Sequence, residues 1–373
     1  MLPKTIIAAG HICLDITPLF PKERTYSSFS ELLIPGKLFH MDGADVHTGG
    51  SVANTGLALK YLGNDVRFLG KIGNDAFGSL IGNIFSGYGA EGLIVDEKST
   101  TSYSVVLAAP GMDRTFLHSP GANDTFTGSD ILDSAFEGAS LFHFGYPAVM
   151  RRMYEDGGRE LTAMFRRAKE KGLATSLDFC SIDPTSKASR ADWRGILKRT
   201  LPYVDFFVPS FEELCFMLDR GQYARLDAAG GDMTERLDLE AEAAPLADAI
   251  LEMGCAVALI KCGVSGMLYK TAGKKRLSEV GAGLIPDPDA WADKGGIQPC
   301  FKADCVRSAT GAGDTSIAAF LSAVLAGKTP DLCAALAAAE GACCVTAYDS
   351  LSGLKTLPEL EARIRSGWEL IGG

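Results

Sequence analysis

Short apolar runs rich in β-branched residues alternate along the chain with longer stretches whose apolar side chains recur at helical spacing. Such short runs are typical of buried strands, and the longer stretches are typical of helices that pack on them. The runs interpreted as strands are residues 5–9, 66–71, 141–144, 174–178, 206–208 and 257–261. The stretches interpreted as helices are residues 51–62, 76–88, 158–171, 314–326 and 332–347. This alternation predicts a parallel sheet flanked by helices.

Three segments depart from this alternation. Residues 29–46 and 101–117 are extended and partly alternating, with no crossover helix between consecutive strands, which predicts a small antiparallel sheet that acts as a lid. Residues 271–302 are rich in Gly, Pro, Asp and Lys without a clean period, and they predict a surface insertion. The expected organisation is a single domain over residues 1–373, with a discontinuous lid from about 12–48 and 97–120 and an insertion at about 271–302.

The charge and composition of the chain narrow the classes of function. The 373 residues include 36 Lys and Arg against 46 Asp and Glu, a net charge of −10, and 47% of them are hydrophobic. This composition is typical of a globular protein, and its acidity argues against binding to nucleic acid or to an anionic membrane surface. A small anionic substrate stays open, because a local pocket on an acidic protein can be positive.

The cysteines and the apolar stretches indicate the compartment. Ten cysteines are scattered without a C-x-x-C pair or a cluster with the five histidines, which is typical of reduced structural thiols rather than disulfides or a zinc site. The apolar stretch within residues 1–10 is too short for a signal sequence, and no run approaches the ~20 apolar residues of a membrane span. We therefore expect a cytoplasmic protein without a membrane partner.

The strongest chemical signal is the run ATGAGDT at residues 309–315, which leads directly into a predicted helix. Small residues let the backbone approach a ligand closely, and the first turn of a helix offers unpaired N–H groups to an anion. A phosphoryl group fits such an anion hole. A carboxylate at Asp314 makes sense there if it takes a proton from an attacking hydroxyl. The alternative interpretation is a Gly-rich turn with an aspartate N-cap.

A second glycine-rich run, TGGSVANTGLAL at residues 48–59, enters another predicted helix. Gly49 and Gly50 precede that helix, and Asn54 lies about one turn into it, where its amide can reach a polyol. His11 and His118 are further polar candidates near the ends of predicted strands. Each of the two histidines either contacts the substrate or lies at the edge of the core.

These two runs, with the motifs between them, resemble the signatures of the PfkB (ribokinase-like) family of sugar and nucleoside kinases. The resembling residues follow the family's order over nearly the whole chain, in Gly10 to Asp15, Gly49 to Asn54, Pro120 to Asn123, Leu177-Asp178, Pro209 to Glu213, Ile260 to Gly266 and Thr310 to Asp314. The resemblance implies an α/β, ribokinase-like fold. Its mostly parallel central sheet would be flanked by helices on both faces, with a small antiparallel β lid.

The resemblance implies ATP-dependent transfer of the γ-phosphoryl group to a hydroxyl of a small sugar or sugar derivative. Asp314 corresponds to the general base, and Glu213 corresponds to the glutamate that organises Mg²⁺ through water. The residues that correspond to the anion hole are Gly311, Ala312 and Gly313. Those that correspond to sugar-binding positions are Asp15, Gly49, Gly50, Asn54 and Asn123. Those that correspond to nucleotide-binding positions are Lys261, Gly263, Gly266, Ser210 and Thr310.

The same resemblance implies ATP and Mg²⁺ as cofactors and allows a monovalent cation in the loops near the last helices. It implies a small sugar as partner, no nucleic acid and no membrane. It also favours a homodimer that pairs through the lid strands.

Three positions depart from the family pattern. Ser210 stands where the family carries an asparagine, Ser308 where an acidic residue commonly opens the last motif, and Cys180 where many members carry an asparagine. These changes leave the base and the anion hole intact and affect metal and nucleotide handling. Two alternatives stay open: a nucleoside kinase of the same family, and a sugar- or nucleotide-binding regulator with weak catalysis. A dehydrogenase is disfavoured because no G-x-G-x-x-G follows the first predicted strand.

Overall fold

The computed structural model describes residues 4–21, 23–112 and 114–371, and these residues form two β-sheets and the helices that pack on them. The strands are β1 Thr5–Gly10, β2 Cys13–Leu19, β3 Gly43–Gly49, β4 Asp65–Gly73, β5 Ile94–Asp96, β6 Tyr103–Leu107, β7 Thr115–Ser119, β8 Ala139–Gly145, β9 Ala174–Asp178, β10 Phe206–Phe207, β11 Val257–Lys261, β12 Met267–Thr271 and β13 Gly295–Gln298. The helices are α1 Phe29–Leu32, α2 Ser51–Tyr61, α3 Ala76–Gly87, α4 Arg151–Tyr154, α5 Arg159–Glu170, α6 Trp193–Thr200, α7 Phe211–Leu218, α8 Arg220–Asp227, α9 Ala244–Glu252, α10 Lys274–Leu277, α11 Pro288–Trp291, α12 Ala312–Leu325, α13 Pro330–Cys344 and α14 Leu357–Arg365.

The large sheet has the strand order β13-β12-β11-β10-β9-β8-β1-β4-β5. Its pairs are parallel from β11 to β5, whereas β12 and β13 add antiparallel strands at one edge. Alternate side chains of a strand enter opposite faces, and in β1 Ile6 belongs to one apolar core and Ile7 to the other. Helices α2, α12 and α13 cover the first core, and α5, α6, α7 and α9 cover the second. The predicted α/β architecture is therefore confirmed.

The predicted elements of this sheet and its helices form close to their expected bounds. All six runs interpreted as strands belong to the large sheet, and the strands Ala174–Asp178 and Val257–Lys261 have the predicted limits. The predicted helices appear as α2, α3, α5, α12 and α13. Helix α13 begins two residues earlier than predicted, because Pro330 stands at its first position, where a missing N–H costs nothing.

The small sheet, hereafter the lid, has the strand order β3-β2-β6-β7. Strands β2 and β3 pair antiparallel, as do β6 and β7, while β2 and β6 pair parallel. Both predicted lid segments thus contribute to one sheet, and the prediction of a small lid sheet is confirmed. The lid follows β1 directly, so it stands over the carboxyl ends of the parallel strands, the edge where α/β proteins bind ligands.

Residues 271–302, predicted as a surface insertion, pack closely on the main body. Strand β13 extends the edge of the large sheet, and Leu277, Val280 and Trp291 are buried in its first core. Most residues of this segment stay exposed or half-buried, as a surface insertion requires. Its few buried apolar side chains follow neither a helical nor a strand period, so the pattern did not reveal where the segment contacts the core. Across the part of the chain that the structure describes, no helix is long and apolar enough to cross a membrane.

Candidate active site

Asp314 lies in the first turn of α12, directly after the glycine-rich loop. The helix begins after Gly311, whose φ of 77° is a left-handed conformation that favours glycine. A Cβ atom at Gly311 would lie 2.4 Å from the Cβ of Ser350, so the loop also needs glycine for space. Within the first turn of α12, the N–H of Ala312 donates to the carbonyl of Ala309 at 3.3 Å and the N–H of Thr315 donates to the carbonyl of Gly311 at 2.9 Å. The N–H of Gly313, at the helix N-terminus, stays the strongest candidate donor for the predicted anion hole.

Three side chains from distant parts of the chain donate hydrogen bonds to the Asp314 carboxylate. Asn54 Nδ2 donates to Oδ2 at 3.0 Å, and Thr55 Oγ1 donates to Oδ1 at 3.1 Å. The Tyr146 hydroxyl, which follows β8, lies 2.8 Å from Oδ1 and 2.7 Å from Oδ2. The fold thus brings two residues of α2 and one residue after β8 onto the predicted general base.

Burial and these donors act on the Asp314 carboxyl in opposite directions. Asp314 is 5% exposed, and this burial raises its pKa because water no longer solvates the charge. The hydroxyl of Tyr146, the charge of Lys261 and the amide of Asn54 oppose this effect, but the pKa stays above its ordinary value. A carboxylate with a raised pKa is a stronger base, as proton abstraction from an alcohol requires.

Lys261 supplies a positive charge, with a side chain that is 12% exposed, beside the glycine-rich loop before α12. Its ammonium lies 2.7 Å from Asp178 Oδ1, and a Cβ atom at Gly313 would lie 3.9 Å from that ammonium. Burial disfavours its charged form, but the carboxylates of Asp178 and Glu213 outweigh that effect and raise the pKa of Lys261. The predicted nucleotide-site lysine is therefore charged and next to the loop that would receive phosphate.

Ser210 and Glu213 form a reciprocal cap at the start of α7. The Ser210 hydroxyl accepts the N–H of Glu213 at 3.2 Å, and Glu213 Oε2 accepts the N–H of Ser210 at 2.7 Å. This capping box gives Ser210, where the family carries asparagine, a structural role at the helix end. Ser210 also bridges to Lys261 through the sheet, so the cap lies next to that positive charge.

The predicted sugar-binding glycines lie where the lid meets α2. A Cβ atom at Gly49 would lie 2.1 Å from Asp15 Oδ2, and one at Gly50 would lie 2.5 Å from His11 Nδ1. Gly50 also has a φ of 85°, a conformation that glycine adopts without strain. Burial raises the pKa of Asp15, and the charge of Asp314 adds to that rise, so the two carboxyls face one region. The structure therefore brings Asp15 and both glycines near Asp314.

Asn123 and Asn54 are placed differently from the predicted sugar ligands. Asn123 is fully buried, donates to the carbonyls of Ile12 and Pro120, and accepts the N–H of Ile12. Its amide joins the two lid segments, so the structure gives it a structural role instead of a sugar contact. The amide of Asn54 donates to Asp314 and accepts the hydroxyl of Ser350 at 3.1 Å, so it orients the base.

The other predicted nucleotide residues lie in two loops. Gly263 and Gly266 flank the turn from β11 to β12 with φ values of 52° and 100°, and a Cβ at Gly266 would lie 2.3 Å from the carbonyl of Gln298. Thr310 precedes the anion hole, and its N–H donates to the Ser308 hydroxyl at 3.1 Å. The serine that replaces the acidic residue thus shapes the loop that leads to Asp314.

Sequence reasoning missed two residues of this site, Tyr146 and Thr55. Tyr146 follows the predicted strand 141–144, at the sheet edge where ligands bind, and this position was an available signal. Thr55 follows Asn54 on the same helix, but nothing in its helical pattern marks it. His11 and His118, both weighed as candidates, lie with ring centroids 5.1 Å apart, and His11 stacks on Tyr146 at 6.0 Å.

The chain matches a known protein family and several proteins of known sequence. The family described as pfkB family carbohydrate kinase matches residues 22–357. Fructokinase-2 of Oryza sativa subsp. japonica is 28% identical over 176 residues, which cover 45% of this chain and 50% of that protein. The probable fructokinase-5 of Arabidopsis thaliana is 27% identical over 195 residues, covering 51% and 59%. The chain thus spans about half the length of the curated relatives it matches.

Solved structures show the same fold at low sequence identity. The fructokinase of Xylella fastidiosa with bound ATP superposes with a TM-score of 0.69 at 19% identity, over 98% of this chain and 99% of that chain. The Arabidopsis thaliana ribokinase complexed with ribose and ATP superposes with a TM-score of 0.68 at 19% identity, over 97% and 98%. These structures show that the fold is ribokinase-like. Together with the family match over residues 22–357, they show that this chain belongs to the pfkB family of carbohydrate kinases.

Proposed function

We propose that this protein transfers the γ-phosphoryl group of ATP to a hydroxyl of a small sugar or sugar derivative. The observation that carries the proposal is the buried Asp314 carboxylate in the first turn of α12, with Lys261 beside the adjoining glycine. A base, an anion hole and a cation beside them are the parts that phosphoryl transfer requires, because its catalysis depends on positioning and electrostatics.

In this mechanism Asp314 takes the proton of the attacking hydroxyl as the acceptor oxygen bonds to the γ-phosphorus. The bond between that phosphorus and the β–γ bridging oxygen breaks, and ADP leaves. The N–H groups of Gly311 and Gly313 and the ammonium of Lys261 stabilise the charge on the transferred group, and the N–H of Ala312 joins them if it leaves the carbonyl of Ala309. The lid excludes water, which would otherwise compete with the sugar as acceptor.

Glu213 is the residue proposed to organise Mg²⁺ through water near the phosphates. Magnesium is commonly held by one or two carboxylates, several waters and substrate phosphates. The position of Glu213 supports this role: its charge acts on Lys261, and its Oε2 accepts the N–H of Ser210, while Oε1 has no such contact to the described residues of the helix cap. Mg²⁺ would neutralise phosphate charge there. A monovalent cation near the last helices belongs to the same proposal.

A sugar is the favoured acceptor, because the matched relatives are named fructokinases and Asp15 offers a carboxylate to polyol hydroxyls. A nucleoside is the second candidate, favoured by the ring pair of His11 and His118 below the lid, since flat rings can pack on a base. A regulator that binds the sugar or nucleotide but turns the sugar over weakly is the third candidate, because Ser210, Ser308 and Cys180 depart from the family pattern.

Pairing of two copies through the lid is also part of the proposal. Apolar side chains on lid segments are exposed to an extent unusual for a solvated sheet, including Leu38 at 80%, Leu33 at 60% and Leu117 at 54%. A second copy would cover these side chains and close the edge strands of the lid.

An ADP-release screen tests the proposed activity. Purified protein with ATP is assayed against hexoses, ketoses, sugar acids, ribose and nucleosides, with and without MgCl₂ and KCl, and ligand-induced thermal stabilisation is measured in parallel. We expect ADP release with a sugar, dependent on Mg²⁺. Thermal stabilisation by a sugar without ADP release would favour the regulator, and release with nucleosides alone would favour the nucleoside kinase.

A further inference from the structure

Tyr146 is held in an unusual backbone conformation at the centre of the site. It follows β8 with φ 67° and ψ 43°, a left-handed conformation that costs energy for a residue with a Cβ atom. Its N–H donates to the carbonyl of Asp178 at 3.2 Å, which fixes this turn to the neighbouring strand. Such strain persists where the surrounding structure imposes it, and it is concentrated at functional sites.

The strained turn places the Tyr146 hydroxyl against the carboxylate of Asp314. The hydroxyl lies at nearly equal distances from the two oxygens, 2.8 Å and 2.7 Å, so it stands between them. Each oxygen also accepts one further donor, Oδ2 from Asn54 and Oδ1 from Thr55. All three donors come from the protein, and the carboxylate is 5% exposed.

An acceptor alcohol that gives its proton to Asp314 must itself hydrogen-bond to a carboxylate oxygen. The flanking contacts belong to the buried side chains of Asn54 and Thr55 on α2, whereas Tyr146 lies on the turn that follows β8 and is only half-buried. The Tyr146 hydroxyl is an O–H donor, as the sugar hydroxyl is. It lies at the distance from the Asp314 oxygens that the sugar hydroxyl would need for its own hydrogen bond. Of the three donors, it is the one whose place the substrate hydroxyl would take.

We propose that the Tyr146 hydroxyl is a place-holder for the acceptor alcohol, which occupies Asp314 in the free protein and gives way when the sugar binds. This inference rests on the proposed kinase function and assigns Tyr146 as a positioning residue for its base. In the free protein the phenol keeps both carboxylate oxygens of Asp314 hydrogen-bonded. In the complex the sugar hydroxyl replaces the phenol, while Asn54 and Thr55 keep their hydrogen bonds to the carboxylate.

The charges around Asp314 determine how loss of the phenol would act. The titratable groups that face Asp314 are Lys261, Asp15, Asp178, Cys180, Cys344 and Tyr146. Burial raises the pKa of Asp314, and the Tyr146 hydrogen bond is the first of the contacts that lower it. Removing that hydroxyl therefore raises the pKa of Asp314 further, but only in the state in which the phenol is bound to it.

The test is Tyr146→Phe, which keeps the ring that stacks on His11 and removes only the hydroxyl. The pH dependence of kcat/KM reports the free protein, and that of kcat reports the substrate complex. We expect the acid limb of kcat/KM to move up by on the order of one pH unit while the acid limb of kcat stays in place. Above that limb the KM for the acceptor should fall about threefold or more, because no phenol needs to be displaced.

Tyr61→Phe is the matched control, since Tyr61 donates to the carbonyl of Leu354 at 2.9 Å, away from the base. Tyr61→Phe should leave the acid limbs of kcat/KM and of kcat unchanged, and also the KM for the acceptor. Unchanged limbs in Tyr146→Phe, or equal movement of both limbs, would overturn the place-holder role, because the phenol would then be irrelevant to the base or would stay bound to it in the complex.

A second readout does not depend on turnover. D-fructose, or the sugar selected by the ADP screen, is titrated into wild type and Tyr146→Phe, and the tyrosine ultraviolet difference spectrum is recorded. We expect a tyrosine difference band on sugar binding in wild type that is absent from the variant. Sugar binding without that band overturns the inference even if ADP forms, whereas the band without ADP release overturns the proposed kinase function alone.

Discussion

Two buried carboxylates, Asp314 and Glu340, show how surroundings determine the state of an acid. Asp314 accepts hydrogen bonds from the side chains of Asn54, Thr55 and Tyr146. Glu340 is fully buried on α13 and accepts the backbone N–H of Lys355 at 3.2 Å and 3.4 Å. Burial raises the pKa of Glu340 to about 8, from an ordinary value of 4.5. It is therefore largely neutral in the folded protein at neutral pH.

Glu340→Gln should make stability less dependent on pH. In wild type the unfolded chain loses its proton near pH 4.5 while the folded state keeps it to about pH 8, so unfolding becomes easier as pH rises through that window. The stabilisation from the neutral Glu340 is fully present below pH 4.5. Between pH 4.5 and about pH 8 the free energy of unfolding falls by at most about 1.4 kcal/mol for each pH unit. Urea denaturation at several pH values should show that glutamine removes this slope.

The exposed Glu91→Gln is the control for that series, because it changes the same chemistry without burial. It should leave the pH dependence of the unfolding free energy as in wild type. A Glu340→Gln slope equal to that of wild type would mean that Glu340 is ionised in the folded protein.

At the scale of elements, helix α12 depends on glycine at both ends for different reasons. Gly311 before its first turn and Gly327 after its last both have left-handed φ values, 77° and 71°. A Cβ at Gly311 would collide with Ser350, whereas a Cβ at Gly327 would meet no atom within 4 Å. Backbone strain is thus common to both positions, and the collision is specific to the anion hole.

Gly311→Ala and Gly327→Ala should separate these two effects. Each alanine should cost about 1–2 kcal/mol of unfolding free energy from the left-handed backbone. Gly311→Ala should also displace the loop before Asp314 and lower kcat by at least about tenfold, because a small misplacement is costly in phosphoryl transfer. Stability by urea denaturation and turnover by ADP release are measured on both variants. Equal kcat in the two variants would show that the close approach at Gly311 does not matter for catalysis.

The sequence predicts the large sheet well because its signal is local. Buried parallel strands are continuous apolar runs, and β9 and β11 have the predicted limits. The contacts of residues 271–302 with the core were not predicted, because the buried residues of this segment, such as Trp291, follow no period. For the site, Asp314 and Gly311 were predictable since a helix start constrains residues that are adjacent in sequence. The position of Tyr146 at the ligand-binding edge of the sheet was an available signal, but its hydrogen bond to Asp314 was not predictable, because that bond joins residues 168 positions apart.

Across the whole molecule, we propose two roles for the lid: it excludes water from the site, and it pairs with a second copy. Asp15 and His118 lie on one face of the lid, because each pairs with Ser104 of β6. Phe116, two residues before His118 on β7, lies on that same face, and Leu117 lies on the opposite one. Phe116 on the edge strand β7 is 52% exposed, next to Leu117. A lid that pairs with a second copy would couple assembly to closure of the site.

Phe116→Asp should disrupt the proposed dimer. Light scattering after size exclusion should give twice the 39.5 kDa chain mass for wild type and the single mass for the variant, because a buried charge without a partner is costly. Leu132→Asp is the control, since Leu132 is 68% exposed outside the lid. A wild-type protein of 39.5 kDa at micromolar concentration, or a Phe116→Asp dimer, would contradict pairing through this surface.

Asp314→Asn asks whether Asp314 is the general base of the phosphoryl transfer. Asparagine keeps the shape and accepts no proton, so kcat should fall by about 10²–10⁴-fold while the dissociation constant for the sugar changes little. If the asparagine variant binds the sugar and its kcat stays within about tenfold of wild type, Asp314 is not the general base.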